Sequence, residues 1–164
     1  MSETRHRVCL LLPATQYWGY GDAGNSIFLL ELLYEDTYNG LDCAKSKGRT
    51  RLPGGKIDDE DWSEADGLIV GAVMNAARRE LWEEFGISGD HLFKGGAYLG
   101  AHNGNGCVHH VVWLPEHGLL PGDYIEQAHP HNQIVLMAGT PGGPTYQGPP
   151  WDTIRQRLRH HHKC

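Results

Sequence analysis

Three glutamates in the stretch Arg79-Glu80-Leu81-Trp82-Glu83-Glu84-Phe85-Gly86-Ile87 define the chemistry open to this chain. Their i, i+3, i+4 spacing places Glu80, Glu83 and Glu84 on one face of a helix. Gly86 suits the left-handed position that ends a helix, so the acids fall in its last turn. The helix dipole is negative there, and each exposed carboxylate costs roughly 0.3–1 kcal/mol. Like-charge neighbours add about 0.2–0.5 kcal/mol per pair. Stability alone does not select this arrangement. A bound divalent cation reverses the sign of every one of these terms.

The elements that must position the acids follow from the surrounding pattern. From about Leu68 or Val70 to Phe85 the period is helical, and Val73, Met74, Ala77, Leu81 and Phe85 form one apolar stripe. This stripe lies beside the carboxylate face, which sets the acids at the edge of the core. Upstream, Arg51-Leu52-Pro53-Gly54-Gly55-Lys56-Ile57 reads as a short extended piece broken by a Pro-Gly-Gly turn. Between the two, Asp58–Gly67 carries six acids (Asp58, Asp59, Glu60, Asp61, Glu64, Asp66) and reads as an exposed loop anchored by Trp62.

Arg7–Leu12 reads as a buried strand closed by Pro13, and Thr15–Gly24, with Tyr17, Trp18 and Tyr20, as a loop. Ser26–Tyr34 is apolar enough for a core strand or a buried helix. Asp36–Arg49 is polar and turn-rich. Phe93–His102 and Cys107–Leu114 flank Asn103-Gly104-Asn105-Gly106, a hairpin signal. Gln133–Met137 is a further strand, Thr140–Pro150 a loop, and Trp151–Arg159 a closing helix. Strands before and after one central helix predict a mixed α/β layered fold, with residues 1–164 as one domain.

Composition narrows the classes. No run of 18 apolar residues exists, which argues against a membrane span, and Met1-Ser2-Glu3-Thr4-Arg5 does not begin a signal peptide. A cytoplasmic protein is expected. Cys9, Cys43, Cys107 and Cys164 form no C-x-x-C pair, so reduced thiols are the default. The formal charge of −6 disfavours general nucleic-acid binding, whereas a small anionic substrate is open to a chain that holds a metal. His109 and His110 are adjacent and would point to opposite faces of a strand, unsuited to sharing a zinc ion. His160, His161 and His162 carry no assigned role.

Together the glycine turn and the acidic helix resemble the Nudix hydrolase family, whose signature runs Gly-x5-Glu-x7-Arg-Glu-U-x-Glu-Glu-x-Gly-U, with U apolar. The second half matches at every fixed position from Arg79 to Ile87. Leu52-Pro53-Gly54-Gly55-Lys56-Ile57 matches the family's usual entry into the motif. Gly55 and Arg79 are 24 positions apart where the signature expects 14, so about ten residues are inserted. The position normally held by the first glutamate is Gly71. In the family that glutamate commonly pairs with the arginine, so here Arg79 is expected to take Glu83, or Glu64 or Asp66 from the insertion.

The resemblance implies a Nudix-type α/β/α sandwich with a mixed sheet. It implies hydrolysis of a diphosphate bond in a nucleoside diphosphate linked to another moiety: a (d)NTP, or a nucleotide sugar such as ADP-ribose. Mg²⁺ or Mn²⁺ would sit on Glu80, Glu83, Glu84 and a backbone carbonyl near Gly54, with Arg79 completing the catalytic set. Gly54 and Gly55 would allow close approach of the main chain, and Lys56 or Arg51 would hold a phosphate oxygen. The general base is either a helix glutamate or a later acid among Glu116, Asp123 and Glu126. The partner is a small nucleotide, and a homodimer is compatible. Two other readings compete: a Nudix-fold module that binds a nucleotide or partner without hydrolysis, and an interaction protein using the acidic insertion.

Overall fold

Seven residues, Arg5–Leu11, make strand β1 at the centre of the fold, buried on both faces from Val8 onward. Val8, Leu10 and Leu12 point to one side, whereas Cys9 and Leu11 point to the other. This two-sided burial explains why the run reads as continuously apolar. The computed structural model describes residues 4–14, 27–33, 37–38, 41–42, 50–88, 96–104, 106–115, 117–120, 134–142, 146 and 148–163. Tyr17, Trp18, Tyr20, Glu116, Asp123 and Glu126 lie outside that set.

Ser26–Tyr34 resolves as a strand, β2 (Phe28–Leu33), followed by the short β3 (Thr37–Tyr38), β4 (Leu41–Asp42), β5 (Thr50–Arg51) and β6 (Gly54–Lys56). Helices α1 (Asp59–Glu64) and α2 (Ile69–Phe85) come next. β7 (Ala97–Gly104), β8 (Cys107–Trp113), β9 (Ile134–Gly139) and α3 (Trp151–Lys163) complete the order. A four-stranded sheet runs β6-β1-β8-β7, with β1 and β8 parallel and the other pairs antiparallel. A three-stranded antiparallel sheet runs β5-β2-β9. The two are stitched where Leu29 N–H donates to the Leu12 carbonyl at 2.8 Å. The architecture is a mixed α/β fold with a mixed sheet.

The helices cover opposite faces. Val73, Ala76, Ala77, Leu81 and Phe85 of α2 pack against Val8, Leu10, Leu29 and Val112. Ile154 and Leu158 of α3 pack against Cys9, Leu11, Phe28 and Leu30. Leu29 and Glu31 therefore face α2, because side chains alternate along β2. Among the described residues no helix is long and apolar enough to cross a membrane.

One sequence-based expectation is corrected. Asp58–Gly67 is not simply an exposed loop, because its first acids wind into α1. Asp58 is the N-cap, its N–H donates to Asp61 Oδ2 at 2.8 Å, and Asp59, Glu60 and Asp61 occupy the first turn. Acids are favourable at that end of a helix dipole, so a dense acidic run here starts a helix. Asp61 is only 4% exposed. Trp62 does anchor the segment: it is half-buried against the core and meets the His6 ring edge-on at 5.4 Å.

Candidate active site

The site is built at the C-terminal half of α2, where it packs over β6 and β1. Gly86 ends the helix with φ 65° and ψ 25°, and its N–H donates to the Trp82 carbonyl at 2.9 Å. The Ile87 N–H reaches the Leu81 carbonyl at 3.4 Å, completing a glycine cap. Glu80 and Glu84, one turn apart, fall on the buried stripe of α2 and are each 8% exposed. Glu83 turns outward, its side chain 45% exposed.

Glycine geometry sets the opposite wall. Gly54 lies opposite Cys9 in the β1–β6 ladder with φ 144°, and a Cβ there would overlap the Val8 carbonyl. A Cβ on Gly55 would overlap the Glu80 carboxylate, coming within 2.8 Å of Oε2. The missing side chain at position 55 is thus the space that the Glu80 head group fills.

Arg79 is the hub of the acids. Its Nη1 donates to Glu80 Oε1 at 3.0 Å and to Glu83 Oε2 at 3.2 Å. Its Nη2 donates to Asp61 Oδ2 at 3.0 Å and to the Lys56 carbonyl at 2.9 Å, and lies 3.3 Å from Asp58 Oδ2. Burial opposes the guanidinium charge, but the Asp61 hydrogen bond and the charges of Glu80, Asp61 and Asp58 outweigh it and hold Arg79 protonated. The expected Glu83 contact is present. The acid that the insertion contributes is Asp61, with Asp58 beside it, rather than Glu64 or Asp66. At position 71, a methyl on Gly71 would come within 2.8 Å of Ala65 Cβ, the residue that caps the end of α1.

A further acid was not singled out from sequence. Glu31 of β2 is fully buried, pairs in register with Arg51, and accepts its Nε–H at 2.8 Å. Glu31 also faces Glu84. Burial pushes the Glu84 carboxyl well above its usual range, and the charges of Glu31 and Glu80 push it further. Burial likewise raises Glu80 to about 6, although Arg79 pulls the other way. Glu31 Oε1 and Glu84 Oε2 are buried with no hydrogen-bond partner. The signal for Glu31 was a lone acid inside the apolar run Ile27–Leu33.

The remaining assignments separate. Lys56 is exposed on β6, its carbonyl engaged by Arg79. Arg51 keeps Nε on Glu31, with its side chain 32% exposed. Arg7 of β1, also unremarked in sequence, donates to the Leu52 carbonyl at 3.1 Å and adds positive charge near both Glu80 and Glu84. His109 and His110 do point apart, His109 toward Cys9 and His110 toward His6 and Tyr98. Among the described residues no three His, Cys, Asp or Glu side chains converge as a ready-made metal cage. Glu80 and Glu83 instead share Arg79, and Glu84 turns to Glu31.

No family model matches this chain, and no curated protein matches it either.

Proposed function

We propose that this protein is a Nudix-type pyrophosphohydrolase, an α/β/α sandwich that uses Mg²⁺ or Mn²⁺ to cleave a diphosphate bond in a nucleotide. One observation carries the reading most: Glu84, on the buried face of a glycine-capped acidic helix, has a carboxylate oxygen with no partner. A buried acceptor without a donor costs about 1–3 kcal/mol, and a proton or a hard cation satisfies such an oxygen. The raised carboxyls of Glu80 and Glu84 point the same way, because crowded buried acids favour a proton or a metal.

In this reading Glu80, Glu83 and Glu84 hold the cations, and the space at Gly55 admits the Glu80 head group. When bound, the cations neutralise the diphosphate and lower the pKa of an attacking water. Arg79 orients the acids through its two amino groups, and Asp61 fixes Arg79. Lys56 is free on the surface side to meet a phosphate oxygen. The glutamate that the family places at Gly71 is missing here, and Asp61 offers its carboxylate to Arg79 in its place.

The substrate belongs to the nucleoside diphosphates linked to another group, (d)NTPs and ADP-ribose-like sugars among them. A panel of these, assayed with Mg²⁺ or Mn²⁺ for released phosphate, diphosphate or nucleoside monophosphate, tests the proposal. Turnover of at least one member that is abolished by EDTA and by Glu84→Gln is expected. Substrate binding with no cleavage across the panel would instead establish a binding module.

A further inference from the structure

We infer, resting on the hydrolase reading, that Glu31 of β2 is an additional carboxylate of the cation site, sharing a divalent cation with Glu84. Phe28 and Leu30 pack toward α3, whereas Leu29 packs toward α2, so Glu31 is directed at the acidic helix. It is fully buried, a place where an unpaired carboxylate is rarely found.

Arg51 satisfies only half of it. Nε of Arg51 donates to Oε2 at 2.8 Å, which leaves Oε1 without a partner. The neighbouring acid is in the same condition, with Glu84 Oε2 buried and unpartnered. Two ionised carboxylates only accept hydrogen bonds, so with both charged neither satisfies the other; a proton on Glu84, donated to Glu31, is the alternative to a cation. Two acceptors brought together in low dielectric repel, and a divalent cation between them satisfies both. Arg51 then acts as an orienting partner that fixes the Glu31 head group from behind, as outer partners of metal ligands do.

The competing explanation is a single proton shared by the two carboxyls. Glu31→Gln separates the two, because the amide keeps the shape, can still accept from Arg51, and mimics a protonated carboxyl. Mn²⁺ binding in the absence of nucleotide, read by calorimetry or by the Mn²⁺ electron paramagnetic resonance signal, should weaken about tenfold or more in Glu31→Gln. Unchanged Mn²⁺ affinity in a folded Glu31→Gln would overturn the inference. Glu80→Gln measured in parallel tells the two readings apart: lost affinity there with none lost in Glu31→Gln leaves the hydrolase reading standing. Absence of millimolar Mn²⁺ binding by the unaltered protein would overturn both. Should Glu31→Gln fail to fold, crystals of the unaltered protein soaked in Mn²⁺ decide the matter. An anomalous peak within bonding distance of Glu31 Oε1 supports the inference, and a peak coordinated by Glu80 or Glu84 without Glu31 rejects it.

Discussion

Asp61, at the end of the first turn of α1, receives the Arg79 guanidinium at 3.0 Å across eighteen residues of chain. The same Asp61 oxygen caps the Asp58 N–H at 2.8 Å, so one carboxylate starts α1 and holds the arginine of α2. Because the pair is largely withdrawn from water, it should outweigh an exposed ion pair. A double-mutant cycle of Asp61→Asn with Arg79→Lys should give a coupling of about 1.5–3 kcal/mol in unfolding free energy. The parallel cycle with Glu64→Gln should give none. Equal coupling in the two cycles would show that Arg79 merely senses the net charge of α1.

Removing charge at the acid cluster should move stability and activity in opposite directions. Glu84→Gln relieves repulsion from Glu31 and Glu80 at a buried position. In metal-free buffer we expect a gain of about 1 kcal/mol, or roughly 2–4 °C in Tm for a chain of this size. Turnover of the identified substrate should fall at least about 10²-fold, a barrier increase of about 2.7 kcal/mol. Glu80→Gln should behave alike, tempered by the loss of its Arg79 contact. Thermal melts and steady-state kinetics on the same preparations check both arms.

Divalent cations should stabilise the folded protein. At a concentration one hundred times its Kd, Mn²⁺ should add about 2.7 kcal/mol, and the rise in Tm should vanish in Glu84→Gln. A melting curve indifferent to Mg²⁺ and Mn²⁺ would count against any cation site at this helix end.

The two adjacent glycines should fail differently on substitution. Gly54→Ala drives a methyl into the Val8 backbone at φ 144°, so it should lower unfolding free energy by at least about 1–3 kcal/mol. Gly55→Ala meets only the Glu80 carboxylate, the far end of a flexible side chain. It should leave the unfolding free energy within about 1 kcal/mol of the parent while lowering activity and Mn²⁺ affinity. Chemical denaturation beside the activity assay distinguishes the pair.

His110 gives the fold a pH dependence of known sign. Buried between His6 at 2.9 Å and Tyr98 at 2.7 Å, it is held near 4 by burial and by the charges of His6 and His109. The unfolded chain, with an ordinary histidine near 6.5, takes up the proton first as pH falls. Stability from this group is therefore complete above pH 6.5 and is lost as pH falls through about 4. The loss should amount to roughly 2–3 kcal/mol. Glu80 opposes it, since its raised carboxyl favours the folded state as pH falls below about 6. Comparing unfolding from pH 7 to pH 4 in the parent and in His110→Gln isolates the histidine. The variant should show a shallower decline, and the His110 ring signal should remain neutral at pH 5.

What could be read from the chain alone is whatever repeats within a few residues. The extent of α2, its glycine cap, the spacing of Glu80, Glu83 and Glu84, the hairpin around Gly104 and the strand at Arg7–Leu12 all follow from local period and turn chemistry. The place of the acids at the edge of the core was legible too, because an apolar stripe adjoined them, but not that Glu80 and Glu84 are buried while Glu83 turns outward. The capping acids of α1 were equally local, but the number of acids hid their positions. Partnerships are another matter. That Asp61 rather than Glu64 meets Arg79 depends on how α1 packs over Gly71, and that Glu31 meets Glu84 depends on the β2–β5 register and on which face α2 covers. Those pairs join segments 18 and 53 residues apart, and their geometry is set by core packing rather than by spacing along the chain. Residue types fixed the available chemistry, and tertiary packing chose which acid faces which.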